Sequence, residues 1–177
     1  LVDHDHNVWH RLIVDLLASV RLESGATPFA LEEVPVADLF ADVTARHEAE
    51  CRRRNVTVHQ VVKVERVTGD RFRLDQAVDN LLANALRHTP AGGRIELRAM
   101  RSGDTVCLGV WDSAGAIAAE HLPHVFARFY KVESANGIAS PGSGLGLSIV
   151  KAIAERHGGR VFAESAPGDG TTFTIEL

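Results

Sequence analysis

The runs RIELRAM and TVCLGVW, separated only by the turn RSGD, constrain the fold more than any other feature of this chain. RIELRAM is apolar at alternate positions and TVCLGVW almost throughout, which suits strands with one or both faces buried. The connection is too short for a crossover, so the two runs must pair as an antiparallel hairpin. RVFAES and TTFTIEL, joined by APGDG, repeat the arrangement at the C-terminal end, and VTVHQVV and the RVTGDR region read as two further strands. Helical patterns fall between them: VADLFADVTARHEAECRRR, then LDQAVDNLLANALRHT stopped by Pro90 and AGG, a short helix around Ala118 to Phe126, and LGLSIVKAIAERH ended by Gly158 and Gly159. Helices and strands alternate without a regular βαβ repeat, and hairpins dominate. The expected fold is an α/β (α+β) sandwich whose mixed sheet is covered on one face.

The N-terminal region has a different character. Trp9, Leu12, Ile13, Leu16, Leu17 and Val20 form one apolar stripe on a helix ending near Gly25, a face that needs a partner surface. ATPFALEEVP reads as a linker over 26–35, which puts a domain boundary there and the main domain at 36–177. With 177 residues the chain suffices for one main domain and an appended segment. The start LVDHDHNVWH is neither a signal peptide nor a natural initiator, so a fragment of something longer is expected. Its three histidines lack further ligands and read as solvated helix residues rather than a metal site.

Charge and cysteine usage exclude some roles. The balance of 19 Lys+Arg against 23 Asp+Glu, net charge -4, comes without a dense basic stripe, so nucleic acid is not an expected partner. No apolar run approaches the length of a membrane span. Cys51 and Cys107, without metal-ligand spacing, suit a reducing compartment, hence the cytoplasm.

Three stretches could carry chemistry. On the helix from about Phe72 to His88, Leu74, Val78, Leu81, Leu82 and Ala85 make a core face, while Asn80, Asn84 and Arg87 form a separate polar stripe. Amide oxygens suit a Mg²⁺ that still carries waters and phosphate oxygens, and the guanidinium could meet a phosphate; a solvated helix face explains the same stripe. In SPGSGLGLSIV, Gly142, Gly144 and Gly146 lead into a helix N-terminus, whose free N–H groups attract anions. The spacing matches neither the dinucleotide fingerprint nor a P-loop, and a flexible hinge is the other reading. Asp112, ending the run TVCLGVWD, could accept a hydrogen bond from an exocyclic amine such as adenine's, or could be an ordinary turn residue.

In this order the motifs resemble those of sensor histidine kinases. LDQAVDNLLANALRHTP is similar to the N box, DSAGAIAAEHLPHVFARFYKV to the first glycine box running into the F box, PGSGLGLSIVKAIAERHGG to the second glycine box, and GDGTTF to the third. Ile117, Glu120, Leu122, Phe126, Phe129, Tyr130 and Lys131 keep register with the family pattern, and the likeness covers about 36–177. The resemblance implies a GHKL-type ATP-binding catalytic domain, the Bergerat fold: a two-layer sandwich in which three helices cover one face of a mixed sheet, with ATP under a lid at about 128–141.

By the same resemblance Asn80, Asn84 and Arg87 are catalytic, with Asn84 holding Mg²⁺ and Asn80 near the phosphates or the metal's waters. Arg87, His88 and Lys131 contact phosphate, and Gly142, Gly144 and Gly146 cradle it. Asp112 accepts from the adenine amine, and Ala114, Ala116, Ile117, Tyr130, Ser143, Leu145, Leu147 and Phe173 complete the ATP site. Packing is the expected main role of Phe126 and Phe129.

HRLIVDLLASVRLESG resembles the second helix of the dimerisation and phosphotransfer domain, here residues 1–25. The family's phosphoacceptor histidine is followed by an acid and then a proline; His4-Asp5 and His6-Asn7 lack that proline. The resemblance therefore implies the catalytic fragment of a protein-histidine kinase, cytoplasmic and belonging to a membrane-anchored sensor. Its expected partners are a separate phosphoacceptor-histidine helical domain, a response regulator receiver domain and, through the N-terminal helix, a second copy.

Two alternatives are weighed against this. The family carries glycines where Ala114 and Ala116 stand; if either position needs a left-handed backbone, alanine costs about 1–2 kcal/mol, which would make this a degenerate nucleotide-binding regulatory module with weak or no kinase activity. A related ATPase that hydrolyses ATP usually has an acid where Asn80 stands, and an amide cannot serve as general base.

Overall fold

The computed structural model describes residues 28–132 and 143–177. In chain order its elements are β1 (Glu32–Pro35), α1 (Val36–Arg54), β2 (Thr57–Val62), β3 (Arg66–Gly69), α2 (Arg71–His88), β4 (Arg94–Ser102), β5 (Thr105–Asp112), α3 (Gly146–Arg156), β6 (Arg160–Ala166) and β7 (Gly170–Glu176). The N-terminal apolar stripe, the three early histidines and residues 133–142 of the glycine-rich loop lie outside the described residues. Among the described residues no helix is long and apolar enough to cross a membrane.

Five strands form the main sheet in the order β2-β4-β5-β7-β6. β2 runs parallel to β4, and every other neighbour is antiparallel, so the sheet is mixed. Both expected hairpins form. Register sorts the side chains into rows, because side chains alternate faces along each strand. Ala99, Leu108, Ile175 and Val161 make one row on the helix-facing side, and Leu97, Val110, Phe173 and Ala163 the next. On the opposite face Glu96 is ion-paired to Arg94 and Arg98, and both guanidinium groups stack on Trp111, at 5.1 and 5.2 Å from the ring. That polar, stacked surface keeps the second face in water, so the helices cover only the first.

Each helix reaches the sheet with its apolar stripe. Leu39, Phe40 and Val43 of α1, Leu74, Ala77, Val78, Leu81, Leu82 and Ala85 of α2, and Ile149, Val150 and Ile153 of α3 are buried in one continuous core with the strands. The α2 N-terminus is fastened most heavily. Asp70 caps it by accepting from the Arg73 N–H at 3.0 Å, and its other oxygen accepts from the Ala30 N–H at 3.0 Å. The Asp70 N–H donates to His157 Nε2 at 3.0 Å, which leaves the ring proton on Nδ1 to donate to the Ile153 carbonyl at 2.7 Å. His157 is therefore a neutral bridge from the end of α3 to the start of α2, and burial lowers its pKa in keeping with that tautomer.

Two local expectations change. The stretch read as a linker over 26–35 contains β1, which pairs antiparallel with β3 and buries Val34. Two glutamates and a proline obscure a strand this short; an edge strand tolerates the proline at its end. The helix expected around Ala118 to Phe126 is a single 3-10 turn, Leu122–His124, where Pro123 supplies no N–H for a longer helix.

Removing the α2 cap tests how much this junction carries. Asp70→Ala is expected to lower stability by about 1–2 kcal/mol, and Asp70→Asn, which can still cap, by clearly less. Urea unfolding of the two variants measures the difference.

Candidate functional site

How α2 is rolled decides where its two amides stand. One flank is pulled onto α1 by Arg46, which pairs with Asp75 at 2.7 Å and Asp79 at 3.2 Å, and by His47, whose Nε2 lies 3.0 Å from Asp79. Burial opposes ionisation of Asp79, but His47 and Arg46 hold its carboxyl below the usual range. With the core face and this flank committed, Asn80 and Asn84 are left on a third side, both half-buried, while Arg87 and His88 emerge exposed at the helix end. Neither amide side chain has a hydrogen-bond partner among the described residues.

That third side meets the start of α3. A Cβ built on Gly146, the first residue of α3, would stand 3.7 Å from Asn80 Oδ1, so the N-box amide borders the N-terminus of the glycine-led helix. The first helical hydrogen bond there is from Ile149 N–H to the Leu145 carbonyl at 3.0 Å, leaving the N–H groups ahead of it without intrahelical partners. Ser143 Oγ accepts from the Leu145 N–H at 3.2 Å, and Ser148 Oγ donates to the Leu145 carbonyl at 2.8 Å. Leu145 itself is fully buried and Leu147 packs on the core, so both shape the turn from below.

The glycines differ in what demands them. Gly144 has φ +71°, and a Cβ there would come within 2.9 Å of Phe129 Cα, while its carbonyl accepts the Phe129 N–H at 2.9 Å. This clasp joins the two ends of the segment between them. At Gly146 a side chain would meet only ordinary contacts from the protein, which leaves its openness to a ligand. Gly142 and most of the expected lid lie outside the described residues.

Asp112 lies in the row Ile95, Asp112, Thr171, Ser165, one step beyond the two apolar rows and on the same helix-facing side. Asp112 is 2% exposed, and one carboxylate oxygen accepts the Ala114 N–H at 2.9 Å, closing the turn after β5. It has no other hydrogen-bond partner among the described residues. Burial pushes its pKa up to about 6, partly offset by the Ala114 N–H. One oxygen makes a turn, as the turn reading expects, and the other has no hydrogen-bond partner among the described residues. Gly170 makes the close approach of β7 possible, with φ +78° and a would-be Cβ within 2.1 Å of the Asp112 carbonyl oxygen.

The rest of the expected site is sorted as follows. Ile117 reaches the site loop by its backbone, donating to Ser165 Oγ at 2.9 Å. The Tyr130 hydroxyl is engaged by His121 Nδ1 at 2.7 Å, and Lys131 is exposed beside it. Phe173 is a core residue, 5.9 Å edge-to-face from Phe126. Phe129, expected to pack, is 60% exposed, because its φ of +60° and the clasp on Gly144 turn the ring outward. Ala114 and Ala116 do not have left-handed backbones; Asn55 and Phe129 are the only non-glycine residues among those described that do. The strain foreseen for the alanines is therefore absent. Sequence reasoning missed Ser165 and Thr171, which alternation counted back from Phe173 and Ala163 would have put in the Asp112 row.

A mixed sheet under three helices, with a helix amide bordering a glycine-led helix terminus and a buried acid at a strand end, defines an ATP-binding α/β sandwich. Residues 69–177 match the family described as "Histidine kinase-, DNA gyrase B-, and HSP90-like ATPase", and the chain belongs to that family. Within it the chain is similar to sensor histidine kinases. It is 38% identical over 169 residues to the sensor protein DivL of Caulobacter vibrioides, covering 94% of this chain and 21% of DivL. The mycobacterial sensor histidine kinase MprB is 30% identical with TM-score 0.71, covering 84% of this chain and 97% of that one. Full-length ShkA in complex with AMPPNP is 25% identical with TM-score 0.84, covering 98% of this chain and 36% of that one. The chain spans about a fifth to three tenths of the length of the curated relatives it matches.

The Asp112 environment yields a stability test. With a folded-state pKa near 6 against an ordinary 3.8, the folded protein holds a proton that the unfolded chain releases between those values. The protonated carboxyl's contribution is present below about pH 4 and lost as pH rises through about 6. The stability of the wild type relative to Asp112→Asn is expected to fall by about 2–3 kcal/mol across that window and then level off, as read by urea unfolding.

Proposed function

We propose that this chain is the catalytic part of a two-component sensor kinase, passing the γ-phosphoryl group of ATP to a histidine on a separate helical domain. The observation that carries this reading is the approach of Asn80 on α2 to Gly146 at the start of α3, which unites two motifs far apart in sequence at one anion-attracting terminus. The N–H groups ahead of Ile149 are offered to phosphate oxygens, with Gly142 and Gly144 continuing the cradle. Arg87, His88 and Lys131 add positive charge or donors at the exposed end. Asp112 receives the adenine amine on the oxygen that the Ala114 turn leaves open. Ala114, Ala116 and Ile117 border the base through the loop, and Tyr130, Ser143, Leu145, Leu147 and Phe173 hold the surrounding walls.

The donor set also fits a metal. Asn84, with Asn80 near it, presents neutral hard oxygens without a hydrogen-bond partner among the described residues, the kind of ligand a phosphate-bound Mg²⁺ accepts. When bound, Mg²⁺ would neutralise charge on the phosphates. What the chain contributes is position: phosphates held at a helix terminus, the base fixed by Asp112, and no carboxylate at Asn80 to activate water. Transfer to a histidine, itself a nucleophile, needs no such base, which favours kinase over hydrolase. The degenerate alternative finds no support in the relatives, and the unstrained backbone at Ala114 and Ala116 removes its main physical argument.

Residues 1–25 we read as the second helix of the dimerisation and phosphotransfer hairpin, followed by a short linker and the catalytic domain, to which β1 already belongs through its pairing with β3. That reading gives as partners the phosphoacceptor helical domain, a response regulator and a second copy of the parent protein, the catalytic part facing the cytoplasm of a membrane-anchored sensor. The sensor-kinase likenesses support it.

Mixing the chain with labelled Mg·ATP and a separately made phosphoacceptor helical domain is expected to yield labelled phosphohistidine; tight nucleotide binding without transfer would overturn the kinase assignment. In titration calorimetry, Asn84→Ala is expected to lose at least about tenfold in Mg²⁺-dependent ATP affinity, with little change when Mg²⁺ is withheld. ATP affinity should also weaken as pH falls through about 6, because a protonated Asp112 loses acceptor strength toward the amine. Asp112→Asn should flatten that profile and reduce preference for ATP over GTP.

A further inference from the structure

The row that holds Asp112 carries two polar groups that the proposed chemistry does not use, Thr171 and Ser165. Ser165 stands opposite Thr171, which stands opposite Asp112, so three polar side chains cross β5, β7 and β6 in line on the helix-facing side. In the two preceding rows the same three strands offer only apolar residues. Ser165 also reaches out of the sheet: its Oγ accepts the Ile117 N–H at 2.9 Å, across 48 positions of sequence. It also makes a 2.7 Å hydrogen bond with Thr171 Oγ1, in which either hydroxyl can donate, and donates over 3.4 Å to the Gly170 carbonyl. The shorter is the better hydrogen bond.

We infer that Ser165 is a positioning residue for the nucleotide base, holding the loop after Asp112 onto the C-terminal hairpin. The inference rests on the ATP-site reading above. Loop residues 113–116 have few other ties. Ala114 N–H is bound to Asp112 itself, and Ser113 is held back to β4 through Arg94. Ala116 and Gly115 are exposed, and a Cβ on Gly115 would meet nothing. Between Ser113 and the 3-10 turn, the Ile117 to Ser165 bond is thus the long-range hydrogen bond that fixes how far the loop stands from the hairpin. It sets the width of the opening that the base enters beside Asp112. The same hydroxyl is hydrogen-bonded to the Thr171 hydroxyl at 2.7 Å, which orients Thr171 within the row. A loop released from this tie would sample wider positions, and a base bound against it would have to order it first.

The test compares Ser165→Ala and Ser165→Thr with the wild-type chain. Two probes are titrated calorimetrically: Mg·ATP and inorganic tripolyphosphate with Mg²⁺, which carries phosphates but no base. Ser165→Ala is expected to weaken ATP by about tenfold, the worth of one well-formed hydrogen bond, and to leave tripolyphosphate unchanged. Ser165→Thr, which keeps the oxygen, is expected to restore most of the ATP affinity. Amide hydrogen exchange at Ile117, followed by NMR without nucleotide, should quicken at least about tenfold in Ser165→Ala and stay slow in Ser165→Thr. Equal loss for both probes would mean a general structural role and overturn the inference, as would unchanged ATP affinity or unchanged Ile117 exchange in Ser165→Ala. A wild-type chain that protects Ile117 but binds no ATP would instead sink the ATP-site reading, leaving the loop tie demonstrated on its own.

Discussion

Strand register is the constraint from which the rest follows. β5 carries Trp111 and Asp112 side by side, one fit for a stacked, wet surface and the other for a buried site, and the pleat must send them to opposite faces. In the observed register Trp111 lies under Arg94 and Arg98 on the open face, and Asp112 enters the side covered by helices. A slip of one residue would exchange them, bringing an indole with its N–H into the core and releasing the carboxylate to water. Eight cross-strand pairs between β4 and β5 hold the register against that slip. Trp111 adds a lock of its own, since its Nε1–H donates to the Asp169 carbonyl in the β6–β7 turn at 2.8 Å.

Once the sheet is fixed, the helices have little choice. The rows Ala99–Leu108–Ile175–Val161 and Leu97–Val110–Phe173–Ala163 form an apolar floor that takes the stripes of α2 and α3. Apolar contact alone sets the azimuth of a helix loosely. For α2 the remaining freedom is removed by directional bonds: Asp70 and His157 at its start, Arg46 and His47 along its flank. The stripe of Asn80 and Asn84 is what these commitments leave over, and α3 arrives with its N-terminus beside it. Both amides are half-buried and have no hydrogen-bond partner among the described residues, which leaves them to solvent or to a ligand.

Much of this was legible in the sequence because it is periodic. The core face of α2 and both hairpins follow from spacing alone, and α1 occupies the very residues its helical pattern marks. What escaped was short or three-dimensional. β1 is four residues long, with two glutamates and a proline, and exists because β3 offers it an edge. The 3-10 turn at Leu122 replaced a helix that Pro123 cannot extend. Ser165 and Thr171 are unremarkable as residues and acquire meaning only from the strand pairing that sets them beside Asp112. Phe129 was expected inside because aromatic rings usually are; a left-handed backbone reverses its direction.

The alanines of the first glycine box show how such reversals bear on function. Glycine can be required for two separate reasons, a backbone angle that other residues resist or a space that a Cβ would fill. Gly144 and Gly170 meet both, since each has positive φ and each would drive a Cβ into backbone atoms of a neighbour. Ala114 and Ala116 meet the first in neither case, so the chain adopts this loop without stored strain. Only the second reason can still act there, and it concerns the ligand rather than the fold: a methyl group is either tolerated beside the base or shifts the loop outward. The loop's reach is itself set at Ile117 by the hydroxyl of Ser165. On the reading proposed above, the room beside the base for these two methyl groups is set by the bond that ties Ile117 to Ser165 on the edge strand β6.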